Sequence, residues 1–273
     1  MRKVMNFYIN EKVDLQQLKP QPATHYIQLK NFEVLEKLQK HFNDRHISCF
    51  LSGTGLLGAI RHGGLIPWRE EVEIGLMKTD FETLCSQTDS LKKAGLRLSS
   101  PILPSSDYRG KGGHRIYDEN GKYGVNLQVY EEMATGNREE SIRLHQKFTE
   151  KAGKLLRAPR QDKADELKGL QDVYHREMQQ WATGDTQKIV WSSIVSPTAP
   201  SWSAREAFFP LREVPFYVYK DQKKKKWPVP KLPEAYLIHR FGPDYQYFPK
   251  ELFPPKMPKD GVYTRRHLSK SKL

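Results

Sequence analysis

The sequence predicts an α/β (α+β) fold: a short mixed sheet with helices packed against it and a helical C-terminal portion. Three observations carry this. An apolar run, His46-Ile47-Ser48-Cys49-Phe50-Leu51, leads through a glycine-rich bend into the helix-like run LLGAIRH. The stretch Glu71-Val72-Glu73-Ile74 alternates acidic and apolar residues, which puts both carboxylates on one side of a strand and both apolar side chains in a core. The runs 115–118 and 125–130 flank Glu119-Asn120-Gly121, and Asn-Gly between two strand-like runs marks a hairpin.

The remaining elements follow in order. Pro20 and Pro22 break any long element in residues 1–28, so residues 1–29 read as an N-terminal extension. Residues 30–45 place Phe32, Leu35, Leu38 and Phe42 on one side at helical spacing. Residues 46–51 form the first strand, and the helix after the bend begins near Gly55. Residues 80–94 read as one helix with Phe81, Leu84 and Leu91 inward and Gly95 as its cap. Residues 96–103 read as a strand and 107–113 as a polar loop. Helices are expected at 139–156 and 162–183, with Pro159 between them. Residues 189–203 read as a polar aromatic loop able to close over a site, and the four lysines 223–226 as a hairpin tip or loop. The main domain is thus 30–250, with a basic tail at 251–273.

With 273 residues and 37% hydrophobic content, the chain is long enough for a substantial core. No apolar run is long enough to span a bilayer. The first residues carry two cations but no apolar segment of the secretory type, which predicts a cytoplasmic protein, with a mitochondrion or other organelle as the alternative. The terminal Ser271-Lys272-Leu273 matches a peroxisomal address, a further alternative. Cys49 and Cys85 read as reduced, core-packed thiols, and no Cys/His metal spacing is present. The net charge is +13. Residues 220–273 hold 14 basic and 5 acidic residues, a net +9 in the last fifth of the chain. Such a region fits a polyanion such as RNA, or serves solubility alone; no aromatic RNA-binding pattern accompanies it.

The chemistry concentrates in residues 50–77. Two adjacent carboxylates repel, so a cation belongs between Glu71 and Glu73: a divalent metal, or an arginine such as Arg61, Arg69 or Arg115. A glycine-rich bend before a helix can cradle phosphates through backbone N–H groups, which makes Gly53, Thr54 and Gly55 candidate phosphate ligands. Arg61 and His62 either contact phosphates or brace the bend. Asp118 and Asp244 sit in polar loops as further candidate bases.

The run GTGLLGAIRHGGLIPWREEVEIGL resembles the LicD family, which includes the fukutin-like proteins and whose pattern reads roughly GGTLLGxxRxxGFIPWDDDIDIGM. A second block agrees with the family's late pattern: Phe209-Pro210-Leu211, Phe216, Val229-Pro230, Tyr236-Leu237, and Phe241-Gly242 through Phe248-Pro249. The resemblance covers about residues 30–260. It implies a nucleotidyltransferase-like fold and transfer of a phospho-alcohol, such as phosphocholine, from a CDP-linked donor to a glycan hydroxyl. It further implies Mg²⁺ or Mn²⁺ at Glu71 and Glu73. The chain departs from the family in three places. The acidic run becomes Arg69-Glu70-Glu71-Val72-Glu73, the GGT is permuted, and the family's third carboxylate falls where Asn126 and Gln128 stand. The alternative is therefore a catalytically degenerate scaffold or RNA-binding subunit of a ribonucleoprotein, such as an organellar ribosome.

Overall fold

The computed structural model describes residues 19–99, 114–157, 163–182, 187–192, 202–218 and 225–246. The first helix, α1 (Pro22–Asp44), starts eight residues before the expected helix at 30. Pro22 occupies the first helical turn, where its missing N–H costs nothing and its fixed φ already suits the helix. The proline read as a breaker therefore starts the helix. Gln28 lies on this added length, fully buried, and its Nε2 donates to the carbonyls of Ile66 (3.0 Å) and Arg69 (2.6 Å).

The sheet begins with β1 (Phe50–Leu51), far shorter than the run 46–51. Arg45 and Ile47 instead donate back to the Phe42 carbonyl, and His46 takes a positive φ of 55°, so the end of α1 consumes the expected strand. Next come α2 (Gly53–His62) and β2 (Glu73–Met77). The expected helix at 80–94 is two helices, α3 (Lys78–Ser86) and α4 (Thr88–Lys93), interrupted at Gln87. Gly95, φ +71°, follows as the sequence predicts.

Strand β3 (Leu96–Leu98) precedes the hairpin β4 (His114–Asp118) and β5 (Gly124–Thr135). The Asn-Gly turn forms, with Gly121 at φ +70°. Asp118 Oδ1 accepts from the N–H groups of Lys122 (2.8 Å) and Tyr123 (3.1 Å), so this carboxylate ties the hairpin end. Helices α5 (Arg138–Arg157) and α6 (Lys163–Gln179) follow as expected.

The predicted loop at 189–203 is partly sheet. Strand β6 (Gln187–Ser192) pairs antiparallel with the second half of β5, and β7 (Trp202–Ala204) pairs with β6. The run Ile189-Val190 is β-branched, and both side chains are buried. Then come α7 (Arg205–Phe208), the hairpin β8 (Arg212–Phe216) with β9 (Lys225–Val229), and α8 (Pro233–Phe241). Lys225 and Lys226 lie in β9 itself.

The seven-stranded sheet runs β1-β2-β5-β4-β3, with β6 and β7 continuing from the far half of β5. Strands β2 and β5 are parallel; the other pairings among the described residues are antiparallel. One core joins α1, the sheet and the late block, where Phe216, Trp227, Val229, Tyr236 and Leu237 are all buried. A smaller cluster, with Phe148, Leu167, Tyr174 and Ile189, lies under α5 and α6. No helix among the described residues is long and apolar enough to cross a membrane.

Candidate active site

Parallel pairing of β2 and β5 sets Glu73 opposite Asn126 and Gly75 opposite Gln128, so Glu73, Asn126 and Gln128 share one face of the sheet. Val72 and Ile74 are fully buried, as the alternation requires. Glu71 lies two residues before Glu73, ahead of the strand, and is half-buried. It has no hydrogen-bond partner among the described residues, and neither glutamate forms an ion pair with an arginine there.

The glycine bend lies directly against Glu73. Helix α2 starts at Gly53, two residues earlier than predicted, so Thr54 belongs to its first turn. Both the Thr54 N–H and the Thr54 hydroxyl donate to Glu73 Oε2, each at 2.5 Å. A carboxylate at a helix N-terminus also gains from the helix dipole. The glycines follow from this closeness. A Cβ on Gly53, already at φ +49°, would run into the Glu73 carboxylate, and one on Gly55 into the Glu73 carbonyl. The Gly53 and Thr54 N–H groups expected to face phosphate are therefore engaged within the protein. Gly53 donates to the Tyr236 hydroxyl (2.9 Å) and Thr54 to Glu73.

The other carboxylate oxygen, Oε1, meets Gln128 Nε2 at 3.4 Å. Gln128 is buried, and its Oε1 accepts from the Tyr130 hydroxyl at 2.8 Å. That hydroxyl lies 2.7 Å from the hydroxyl of Tyr236. Burial first, and the Tyr236 hydroxyl second, hold the Tyr130 phenol well above its usual range, so it stays protonated. Asn126 is buried, and its Nδ2 has no partner among the described residues.

Arg61 and His62 are brought together with each other but not with Glu73. They end α2, eight and nine residues from Gly53, roughly 12 Å along the axis. Arg61 Nε donates to His62 Nε2 (3.1 Å), and its Nη1 to the Tyr245 carbonyl (3.0 Å). Burial, then Arg69, lowers the guanidinium to about 10; burial, then Arg61, lowers His62 to about 3. His62 is thus a neutral acceptor, packed edge-on against Trp68. The pair braces the loop that carries Gly63 and Gly64. The β8–β9 hairpin completes that brace: the Leu65 N–H donates to the Tyr217 carbonyl (2.9 Å), and the Tyr217 hydroxyl to the His62 carbonyl (3.0 Å). Asp244 sits in the turn after α8.

The donor set suits a small hard cation. Mg²⁺ characteristically takes one or two carboxylates and completes its shell with substrate phosphates and water. Glu71 has open oxygens, and Glu73 Oε1 holds only one long bond. No group of three His, Cys, Asp or Glu side chains converges among the described residues. Any third protein ligand would be an amide oxygen, which adds no charge.

Sequence reasoning did not connect Tyr130 and Tyr236 to the acidic strand. The available signal was Tyr236 itself, a tyrosine of the late block with no partner nearby in sequence. Residues 46–161 match the family model described as "LicD/FKTN/FKRP, nucleotidyltransferase domain". That span runs from the end of α1 past the end of α5 and contains Glu71, Glu73, Asn126 and Gln128. No curated protein matches the chain.

Proposed function

Because residues 46–161 make the chain a member of the LicD family, we propose that it is a transferase moving a phospho-alcohol, such as phosphocholine, from a CDP-linked donor to a glycan hydroxyl. The observation that carries this is the grip of the α2 N-terminus on Glu73 at the head of the parallel pair β2–β5. Glu71 and Glu73 would hold Mg²⁺ or Mn²⁺. When bound, the ion would neutralise the donor's phosphates.

In this reading Thr54 orients Glu73, and Gly53 and Gly55 let the helix approach it. Arg61 and His62 act at a distance, by fixing the far end of the helix. Calorimetry with a CDP-linked alcohol, with and without Mn²⁺, tests the proposal. Metal-dependent binding that Glu73→Gln abolishes is the expected result; no binding under either condition overturns it.

A second reading, a non-catalytic scaffold or RNA-binding subunit of a ribonucleoprotein, is favoured by Asn126 and Gln128 standing as amides beside Glu73. The net +9 of residues 220–273 agrees with it. Co-sedimentation with ribosomal particles that weakens steeply with salt supports this reading. Protein free of RNA through every purification step counts against it.

A further inference from the structure

We propose that Tyr236 is a positioning residue that sets the Glu73 carboxylate by two routes at once. The inference rests on the reading above only in taking Glu73 as the working carboxylate.

The short route runs through the helix start. Tyr236 accepts from the Gly53 N–H at 2.9 Å, and the next residue, Thr54, holds Glu73 Oε2 twice. The long route runs through the sheet. Tyr236 meets Tyr130 at 2.7 Å, Tyr130 donates to Gln128 Oε1 at 2.8 Å, and Gln128 Nε2 reaches Glu73 Oε1 at 3.4 Å. Together the two routes close a ring of six residues from α2, β2, β5 and α8.

Proton counting fixes the direction of this ring. A carboxylate only accepts, so the Gln128 amide must turn its NH₂ toward Glu73 and its carbonyl toward Tyr130. That carbonyl takes the one hydrogen of Tyr130. Tyr236 must then donate to Tyr130 and accept from Gly53. Each hydroxyl donates once and accepts once in a fixed sense, so the carboxylate is held from both oxygens by a polarised network. Tyr236 and Tyr130 are 1% exposed, so water does not replace a missing hydroxyl easily. Sequence separation shows how far the ring reaches: Tyr236 lies 183 residues from Gly53 and 106 from Tyr130.

The test replaces Tyr236→Phe, which keeps the aromatic side chain and removes only the hydroxyl. Tyr130→Phe breaks the long route alone. Tyr245→Phe is the control, a buried tyrosine of the same block whose hydroxyl accepts from Gln246. Each protein is labelled with ¹³C-glutamate, and the Glu73 carboxyl signal is assigned by its loss in Glu73→Gln. Tyr236→Phe and Tyr130→Phe are expected to move that signal, and Tyr245→Phe to leave it in place. Mn²⁺ affinity, measured with the metal alone, is expected to fall roughly ten-fold in Tyr236→Phe, the scale typical of lost support behind a metal ligand. An unmoved Glu73 signal in folded Tyr236→Phe overturns the proposal, whatever the protein binds. Should Tyr236→Phe not fold, an unmoved signal in Tyr130→Phe overturns it instead. A moved signal in a protein that binds no Mn²⁺ even as wild type supports the positioning role and removes the metal reading alone.

Discussion

Thr54 holds a single oxygen of Glu73 twice, once by its backbone N–H and once by its hydroxyl, both at 2.5 Å. One residue thus spends its main chain and its side chain on one acceptor. Removing the hydroxyl while keeping the shape, Thr54→Val, is expected to lower stability by about 1–2 kcal/mol, the range for a hydrogen bond to a charged group discounted for partial exposure. Urea denaturation measures this. The same variant is expected to weaken Mn²⁺ binding.

Gly53→Ala is expected to be worse than its single added methyl implies. The backbone is at φ +49°, and the new Cβ meets the Glu73 carboxylate. Strain of that kind costs on the order of 1–3 kcal/mol, and the carboxylate must also move. A shift of the urea midpoint together with loss of Mn²⁺ binding is the expected outcome. A midpoint unchanged from wild type would show that the bend tolerates a side chain.

Two histidines contribute a pH-dependent share of the stability, His62 at the end of α2 and the buried His145. His62 is lowered to about 3 by burial and then by Arg61. His145 is lowered to about 4, with burial as the largest cause. Both fall below their unfolded value of about 6.5, so between those limits the unfolded chain binds more protons than the folded one. Stability is therefore full above about pH 6.5 and falls as the pH drops toward 4, with each histidine contributing up to about 1.4 kcal/mol per pH unit. His62→Gln is expected to flatten part of this slope in denaturation curves collected from pH 4 to 7.

Gln28→Leu tests the added length of α1. The native amide serves the carbonyls of Ile66 and Arg69 on either side of Trp68. With a leucine of similar size the Ile66 carbonyl keeps the Arg69 N–H (3.0 Å), and the Arg69 carbonyl loses its buried donor, at about 1–3 kcal/mol for a group left unsatisfied. A loss of about 1–3 kcal/mol by thermal or chemical unfolding is expected, along with altered tryptophan fluorescence.

Local signals were readable where one short segment settles its own geometry. The Asn120-Gly121 turn, the helices at 138–157 and 163–179, and the inward Val72 and Ile74 all formed as expected. What was not readable depended on distant partners. Pro22 reads as a breaker until the buried Gln28 shows that a helix is needed there. Ile189 and Val190 read as loop until the long β5 offers an edge to pair with. Arg61 and His62 sit in the motif next to the bend, but ten residues of helix carry them away from Glu73. A helix separates neighbours in sequence, and only the fold reveals which end does the work.

Both ends of α2 are tied by chain that comes much later. Tyr236 fastens its start, and Tyr217 and Tyr245 fasten its finish. A nascent polypeptide released through residue 161 would own the acidic strand and the glycine bend, yet lack every one of these clasps. Order of synthesis thus sets order of assembly: the acidic groups emerge first, and the phenol that aligns them arrives well over a hundred residues afterwards. A gene shortened to the family-matching segment, residues 46–161, would encode the ingredients without the tool.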